Sequence, residues 1–165
     1  MLCFTGSAQA SQIAYAFSPE DHSALDLVIN EISGAQKSIN LMGYAFTSPQ
    51  ISKALAAAQD RGVTVRLVLD HKSNQNKTSQ RAIQYLQSHK VSIRFNSDYP
   101  IMHDKVMIVD DKDVETGSFN YTSSASYKNS ENVVIIKDYP DLANVYFKHW
   151  KSRYDNGKDV QSDDF

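Results

Sequence analysis

A single α/β domain, with a mixed and largely parallel β-sheet flanked by helices on both faces, is the fold this sequence predicts. Two observations predict it. Short apolar runs of strand length alternate with segments of helical periodicity through the first half of the chain, and strands separated by helices pair in parallel through right-handed crossovers. The run from Val63 to Leu69 is almost continuously aliphatic and β-branched, the pattern of a strand covered on both faces. At 165 residues the chain has the length of one domain and can bury about two thirds of the surface its unfolded form exposes.

The elements follow in order. Ile13, Tyr15 and Phe17 alternate with smaller neighbours, as in a half-buried strand. Ser18-Pro19-Glu20-Asp21 then offers an N-cap, a first-turn proline and acids, so a helix is expected to start there. Its apolar positions Leu25, Val28, Ile29 and Ile32 lie on one face, and Gly34 stands where it should stop. A buried strand is expected over 38–46, and Ser48-Pro49 caps a helix presenting Ile51, Leu55 and Ala58, closed by Gly62. After the strand at 63–69 comes a polar loop, 70–76, which is a candidate site wall. A helix with Ala82, Ile83 and Leu86 and a short strand at 91–95 follow. The runs 105–109 and 132–136 read as central strands, and Leu142, Val145, Tyr146, His149 and Trp150 mark a last amphipathic helix with His149 on its core face.

Composition narrows the function class. Hydrophobic residues make up 41% and charged residues 22%, too apolar for a disordered chain. No apolar run approaches the roughly 18 residues that span a bilayer. The net charge of −2 requires any nucleic-acid contact to rest on a local concentration of positive charge. Residues 1–10, MLCFTGSAQA, contain no Lys or Arg and end in Ala8-Gln9-Ala10, which fits a signal-peptidase site. They are read as the remnant of a leader or a disordered segment, and residues 11–165 as the catalytic domain. The sole cysteine, Cys3, lies in that leader. A trimmed chain without thiols suits an oxidising compartment, so a periplasmic or secreted location is expected.

Residues 103–120 read HDKVMIVDDKDVETGSFN, placing His103, Lys105, Asp110, Gly117, Ser118 and Asn120 in the spacing H-x-K-x4-D-x6-G-S-x-N. Six fixed positions match by accident on the order of once in 10⁶ sequences of this length. Residues two apart on a strand share a face, so His103 and Lys105 can address one phosphate while Asp104 turns away. A neutral imidazole can attack phosphorus, and a lysine ammonium neutralises charge on the non-bridging oxygens. Ser118 and Asn120 are again two apart and can bring uncharged donors to the same anion. Asp110, Asp111 and Asp113 suggest a metal-binding run, yet the calcium-loop pattern needs glycine where Thr116 stands. Asp111 to Asp113 is therefore expected to form a charged hairpin turn, and no metal site or cofactor is expected.

This motif resembles the HKD signature of the phospholipase D superfamily, and the stretch 115–136, ETGSFNYTSSASYKNSENVVII, is similar to the short bacterial endonucleases of the Nuc type. The similarity extends to YAFTSPQISKAL at 44–55 and FKHWKSRYDNG at 147–157. The resemblance implies a phospholipase D-like fold and a catalytic set of His103, Lys105, Asn120 and Glu131. In that set Glu131 hydrogen-bonds the catalytic histidine, while Asp110 and Ser118 support the motif. It also implies a homodimer, because the family reaction uses two histidines and this chain carries one motif.

A DNA endonuclease that works without a metal is the activity expected, with Lys72, Asn74, Asn76, Lys77 and, just beyond, Arg81 placed to touch the backbone. RNA as substrate and a phospholipase acting on lipid are the alternatives. A lipid enzyme should show an exposed apolar or basic amphipathic element, which these core-facing helices do not offer. A binding module without catalysis would have lost His103, Lys105 or Asn120, and all three are present.

Overall fold

A computed structural model of the chain describes residues 12–161 and 164; the leader read at 1–10 lies outside the described residues. The strands read from sequence form as β1 (Gln12–Ser18), β2 (Ser38–Gly43), β3 (Thr64–Asp70), β4 (Ser92–Asn96), β5 (Lys105–Val109) and β7 (Glu131–Lys137), with an unforeseen β6 (Asp113–Gly117) between the last two. Five helices accompany them: α1 (Ser23–Gly34), α2 (Pro49–Asp60), α3 (Lys77–Ser88), the short α4 (Ser123–Tyr127) and α5 (Pro140–Asn156). A two-residue β8 (Lys158–Asp159) closes the sheet beside β4.

Local chemistry sets most boundaries. The Ser48 hydroxyl accepts from the Ile51 N–H and Pro49 occupies the first turn of α2, while the Asn76 side chain accepts from Thr78 and Ser79 at the head of α3. The first helix begins later than expected. A 3₁₀ turn spans Glu20–His22, His22 is left-handed, and α1 starts at Ser23. Ser18 cannot cap it, because its hydroxyl donates to the carbonyl of Ala125 at 2.6 Å in the interior.

The strand order is β1-β7-β6-β5-β2-β3-β4-β8. The sheet is mixed, as predicted, but its pairing is largely antiparallel where largely parallel pairing was expected. Parallel pairing is confined to β2–β3 and β3–β4, and the other five adjacencies are antiparallel. The meander β5–β6–β7 contributes two of these, and β6 left little trace in the sequence. It carries one buried aliphatic residue, Val114, beside a buried Glu115, so no apolar run announces it. Helices α1 to α3 cover one face over Leu41, Leu67, Ile93 and Met107. Helix α5 covers the other through Trp150, packed with Met42, Val68, Ile108 and Val114, and the Trp150 indole N–H donates to the carbonyl of Leu41 at 3.0 Å. Among the described residues no helix is long and apolar enough to cross a membrane.

Glu115 is an expensive resident of this core. One carboxylate oxygen accepts the Tyr121 hydroxyl at 2.7 Å, and the other has no partner among the described residues. Burial pushes its pKa up to about 8, against the Tyr121 hydrogen bond and with help from the charge of Glu31. A carboxyl whose folded pKa lies above its unfolded value binds its proton more tightly when folded, so stability falls as pH rises from about 4.5 through about 8. Glu31, raised chiefly by burial despite its ion pair with Lys137, adds to the same slope. Melting temperature is therefore expected to fall between pH 5 and 8, and Glu115→Gln should flatten much of that fall. An unchanged slope in the variant would place the titration elsewhere.

Candidate active site

The directions of the strands gather the site. The C-terminal ends of β2, β3 and β6 and the N-terminal ends of β5 and β7 lie at one end of the sheet. Lys105, first residue of β5, sits opposite Gly43, Glu131 opens β7, and Ser118 and Asn120 follow β6.

His103 stands just before β5 rather than within a strand. The Met102 N–H donates to an Asp70 carboxylate oxygen at 2.8 Å and Met102 is itself buried, so the chain is pinned immediately before the histidine, which remains exposed. Its ring meets Tyr44 edge to face, centroids 4.7 Å apart. Lys105 is 93% covered, at 7% exposure, and its ammonium donates to the His103 carbonyl at 3.0 Å over the Tyr44 ring. Burial lowers the lysine pKa, and the charges of Glu131 and Asp104 resist the shift. Asp104 turns away, as the alternation predicts, to meet His149 Nε2 at 3.2 Å. His149 is therefore not a core residue: its side chain is 39% exposed and ties α5 to the segment holding His103.

Gly117 is required where β6 ends, since a Cβ there would come within 2.2 Å of the Asn132 carbonyl oxygen. That close approach lets the Ser118 N–H donate to the same carbonyl at 3.1 Å. The Ser118 hydroxyl donates to Glu131 at 2.5 Å, and Asn129 donates to the other carboxylate oxygen at 3.0 Å. The Glu131 carboxylate thus rests on Ser118 and Asn129, with its charge felt at Lys105. Among the described residues no hydrogen bond joins it to the His103 ring. The Asn120 side-chain oxygen is buried without a partner among the described residues. The next residue, Tyr121, is fully buried, and its carbonyl accepts from Thr47 and Ser48, which fixes the backbone beside Asn120.

The polar loop after β3 is tied by its side chains to the backbone beside His103 and Tyr44. Asn74, fully buried, donates to the carbonyls of Tyr44 and Asp70, both at 2.7 Å, and accepts from the Phe46 N–H. Lys72 in the turn Lys72–Asn74 and Lys77 at the head of α3 are exposed, with no ion pair among the described residues. Asp110 stands elsewhere. It lies at the far end of β5, where its carboxylate accepts from the backbone of Gln36, Lys37 and Ser38. Burial opposes its ionisation, but those three bonds hold its pKa below the usual carboxylate range. Asp110 ties the β5–β6 turn to the head of β2 and supports the fold rather than the site. Tyr44 and Asp70 are the residues that sequence reasoning missed; Asn74, expected to touch a nucleic-acid backbone, is instead buried and clamps the loop. Asp70 and Asn74 bracket the polar loop four positions apart, a spacing that could have marked a side-chain clamp. Among the described residues no group of His, Cys, Asp or Glu is arranged to hold a metal ion.

A nucleophilic imidazole, a desolvated ammonium and neutral donors at one sheet end are suited to an anionic diester. The family model for the cardiolipin synthase, PLD-like domain matches residues 28–153. The chain belongs to the phospholipase D superfamily. Like other members of this superfamily it is a phosphodiesterase. Nuc from Salmonella typhimurium, a phospholipase D family member, superposes with a TM-score of 0.91 at 44% identity, covering 93% of this chain and all of that one. Phospholipase D of Rickettsia conorii is 37% identical over 143 residues, 87% of this chain and 70% of that protein. The mitochondrial cardiolipin hydrolase of Mus musculus is 36% identical over 120 residues, 73% of this chain and 53% of that protein.

Proposed function

We propose that this chain is an endonuclease hydrolysing DNA phosphodiesters without a metal, through a phosphohistidine at His103, in a site completed by a second copy. The observation that carries the reading is an exposed histidine, His103, set against a buried ammonium, Lys105. One group can attack phosphorus while the other neutralises the phosphate oxygens.

In the first step a ring nitrogen of His103 forms a bond to phosphorus as the bond to the leaving oxygen breaks. That oxygen needs a proton, and His103 of the partner subunit supplies it. In the second step the same partner imidazole takes a proton from water, whose oxygen displaces the histidine and restores the enzyme. Lys105 and Asn120 hold the non-bridging oxygens, and Glu131, through Ser118, keeps negative charge beside Lys105. Lys72 in the polar loop and Lys77 at the head of α3 would meet flanking phosphates.

The bare half of the sheet supports a second copy. Ala14 and Ala16 pack toward α1, so Ile13, Tyr15 and Phe17 face the α5 side of the sheet, yet they remain 67%, 71% and 53% exposed. This apolar strip runs along β1 to the end of the sheet where Glu131 lies. Exposed contiguous apolar surface of this kind marks interfaces.

DNA is favoured over lipid by the chain-wide resemblance to Nuc-type endonucleases. The names phospholipase D and cardiolipin hydrolase carried by other relatives favour lipid, and one experiment separates the two. The purified protein, in millimolar EDTA, is incubated with plasmid DNA, with RNA and with cardiolipin vesicles. Cleavage of DNA is expected to persist in chelator. Activity abolished by EDTA and restored by magnesium would overturn the mechanism, and cleavage of vesicles alone would overturn the substrate.

A further inference from the structure

Charge is unevenly placed in this acidic chain. No Asp or Glu stands between Asp70 and Asp98, whereas that stretch carries Lys72, Lys77, Arg81, Lys90 and Arg94. Its helix, α3, lies against α2, and between the two runs a groove of about 270 Å³. From α2 the groove takes Pro49, Ser52 and Lys53, and from α3 Thr78, Arg81, Ala82 and Tyr85. These positions recur at the three- and four-residue spacing of one helix face. Lys53 and Arg81 are exposed and form no ion pair or hydrogen bond among the described residues. Several other cations are neutralised: Arg94 by Asp159, Lys112 by Asp138 and Lys137 by Glu31. Two unpaired cations on facing helices, with an aromatic ring beside them, are the elements of a phosphate and base contact.

The groove is linked to the active site through the backbone. Thr47, at its mouth, donates its N–H to the carbonyl of Tyr121, the neighbour of Asn120. Both helices start at the same sheet end as His103, because α2 follows β2 and α3 follows β3. We infer that the α2–α3 groove is a second binding site for nucleic acid, in which Lys53 and Arg81 hold a phosphate of the strand beyond the scissile bond and Tyr85 receives a base. This rests on the nuclease reading above and extends it. A strand held at His103 alone has one anchor, whereas one that also lies in the groove is held at two points, which favours long polymers over small diesters.

The test compares wild type with Lys53→Glu and with the double variant Lys53→Glu, Arg81→Glu. Three substrates are used: plasmid DNA, the small diester bis(4-nitrophenyl) phosphate, and cardiolipin vesicles. The KM for DNA is expected to rise about tenfold or more in the double variant, with kcat/KM for the small diester unchanged. The dependence of log KM on log salt should lose about one unit of slope, for the one phosphate that the pair no longer holds. Circular dichroism melting shows whether the exposed substitutions leave the fold intact, and the small-diester rate checks the chemistry separately. If wild type cuts DNA and the double variant matches it in KM and salt slope, the groove proposal fails while the nuclease reading stands. If wild type turns over the small diester but not DNA, the nuclease reading fails and the groove assignment falls with it. Loss of vesicle cleavage with DNA cleavage retained would assign the groove to a membrane surface and overturn the proposal.

Discussion

His103→Ala is expected to lower phosphodiester turnover by about 10⁴-fold or more, because the variant lacks the atom that forms the covalent bond and no neighbour can replace it. Stability should hardly change. The ring is exposed and makes one aromatic contact, with Tyr44; its carbonyl, which accepts from Lys105, survives the substitution. Melting temperature within about two degrees of wild type is the expected companion result, since surface substitutions away from special features usually cost less than about 0.5 kcal/mol. DNA affinity should also be retained, as Lys105 and Asn120 remain. A loss of activity that simply tracked a large loss of stability would make His103 a structural residue.

The second large effect comes from counting histidines. One chain offers one such residue at the phosphate, and the two-step reaction needs a nucleophile and an acid there together. A heterodimer of wild-type and His103→Ala chains, isolated through different affinity tags, tests whether the site is shared. Independent subunits would leave half the activity of the wild-type dimer. In a shared site the remaining histidine has no partner to protonate the leaving oxygen or to activate water. General acid–base assistance is typically worth about 10² to 10⁴ in rate, so the heterodimer should retain about 1% or less. Half activity, or a fully active monomer in light scattering, would contradict the shared site.

Much of this was legible in the sequence because local physics and tertiary structure agree. The Ser48-Pro49 cap, the aliphatic run of β3 and the amphipathic faces of α1 and α3 follow patterns that hold whatever packs against them. The motif from His103 to Asn120 was legible too, because its spacing places both pairs at one sheet end. What was hidden depends on long-range partners. Glu115 looks like a surface residue until Tyr121 and β7 bury it, and with it goes the recognition of β6. Ser18 reads as a helix cap, but its hydroxyl is taken by Ala125, more than a hundred residues away. Asp110 belongs to the motif in sequence and to the opposite end of the sheet in space, since β5 separates it from Lys105. His149 sits on the face of α5 that reads as core, yet it meets Asp104 at the sheet end, where both side chains stay partly open to solvent. Tyr44 opens a stretch that resembles the family but has no charge to mark a role, and only its place after Gly43 at the end of β2 brings it against His103 and Lys105.

The central claim is that phosphorus is transferred to His103 before water takes it, and trapping that adduct tests it most directly. The wild-type protein is mixed with excess DNA in chelator, quenched in alkali within the first turnovers, digested and examined by mass spectrometry. Phosphohistidine survives alkali, so the peptide containing His103 is expected to carry the mass of a phosphorylated or nucleotidylated histidine, absent from His103→Ala. An unmodified His103 peptide throughout turnover, with inversion of configuration at a chiral phosphorothioate, would show that water attacks directly and would contradict the account.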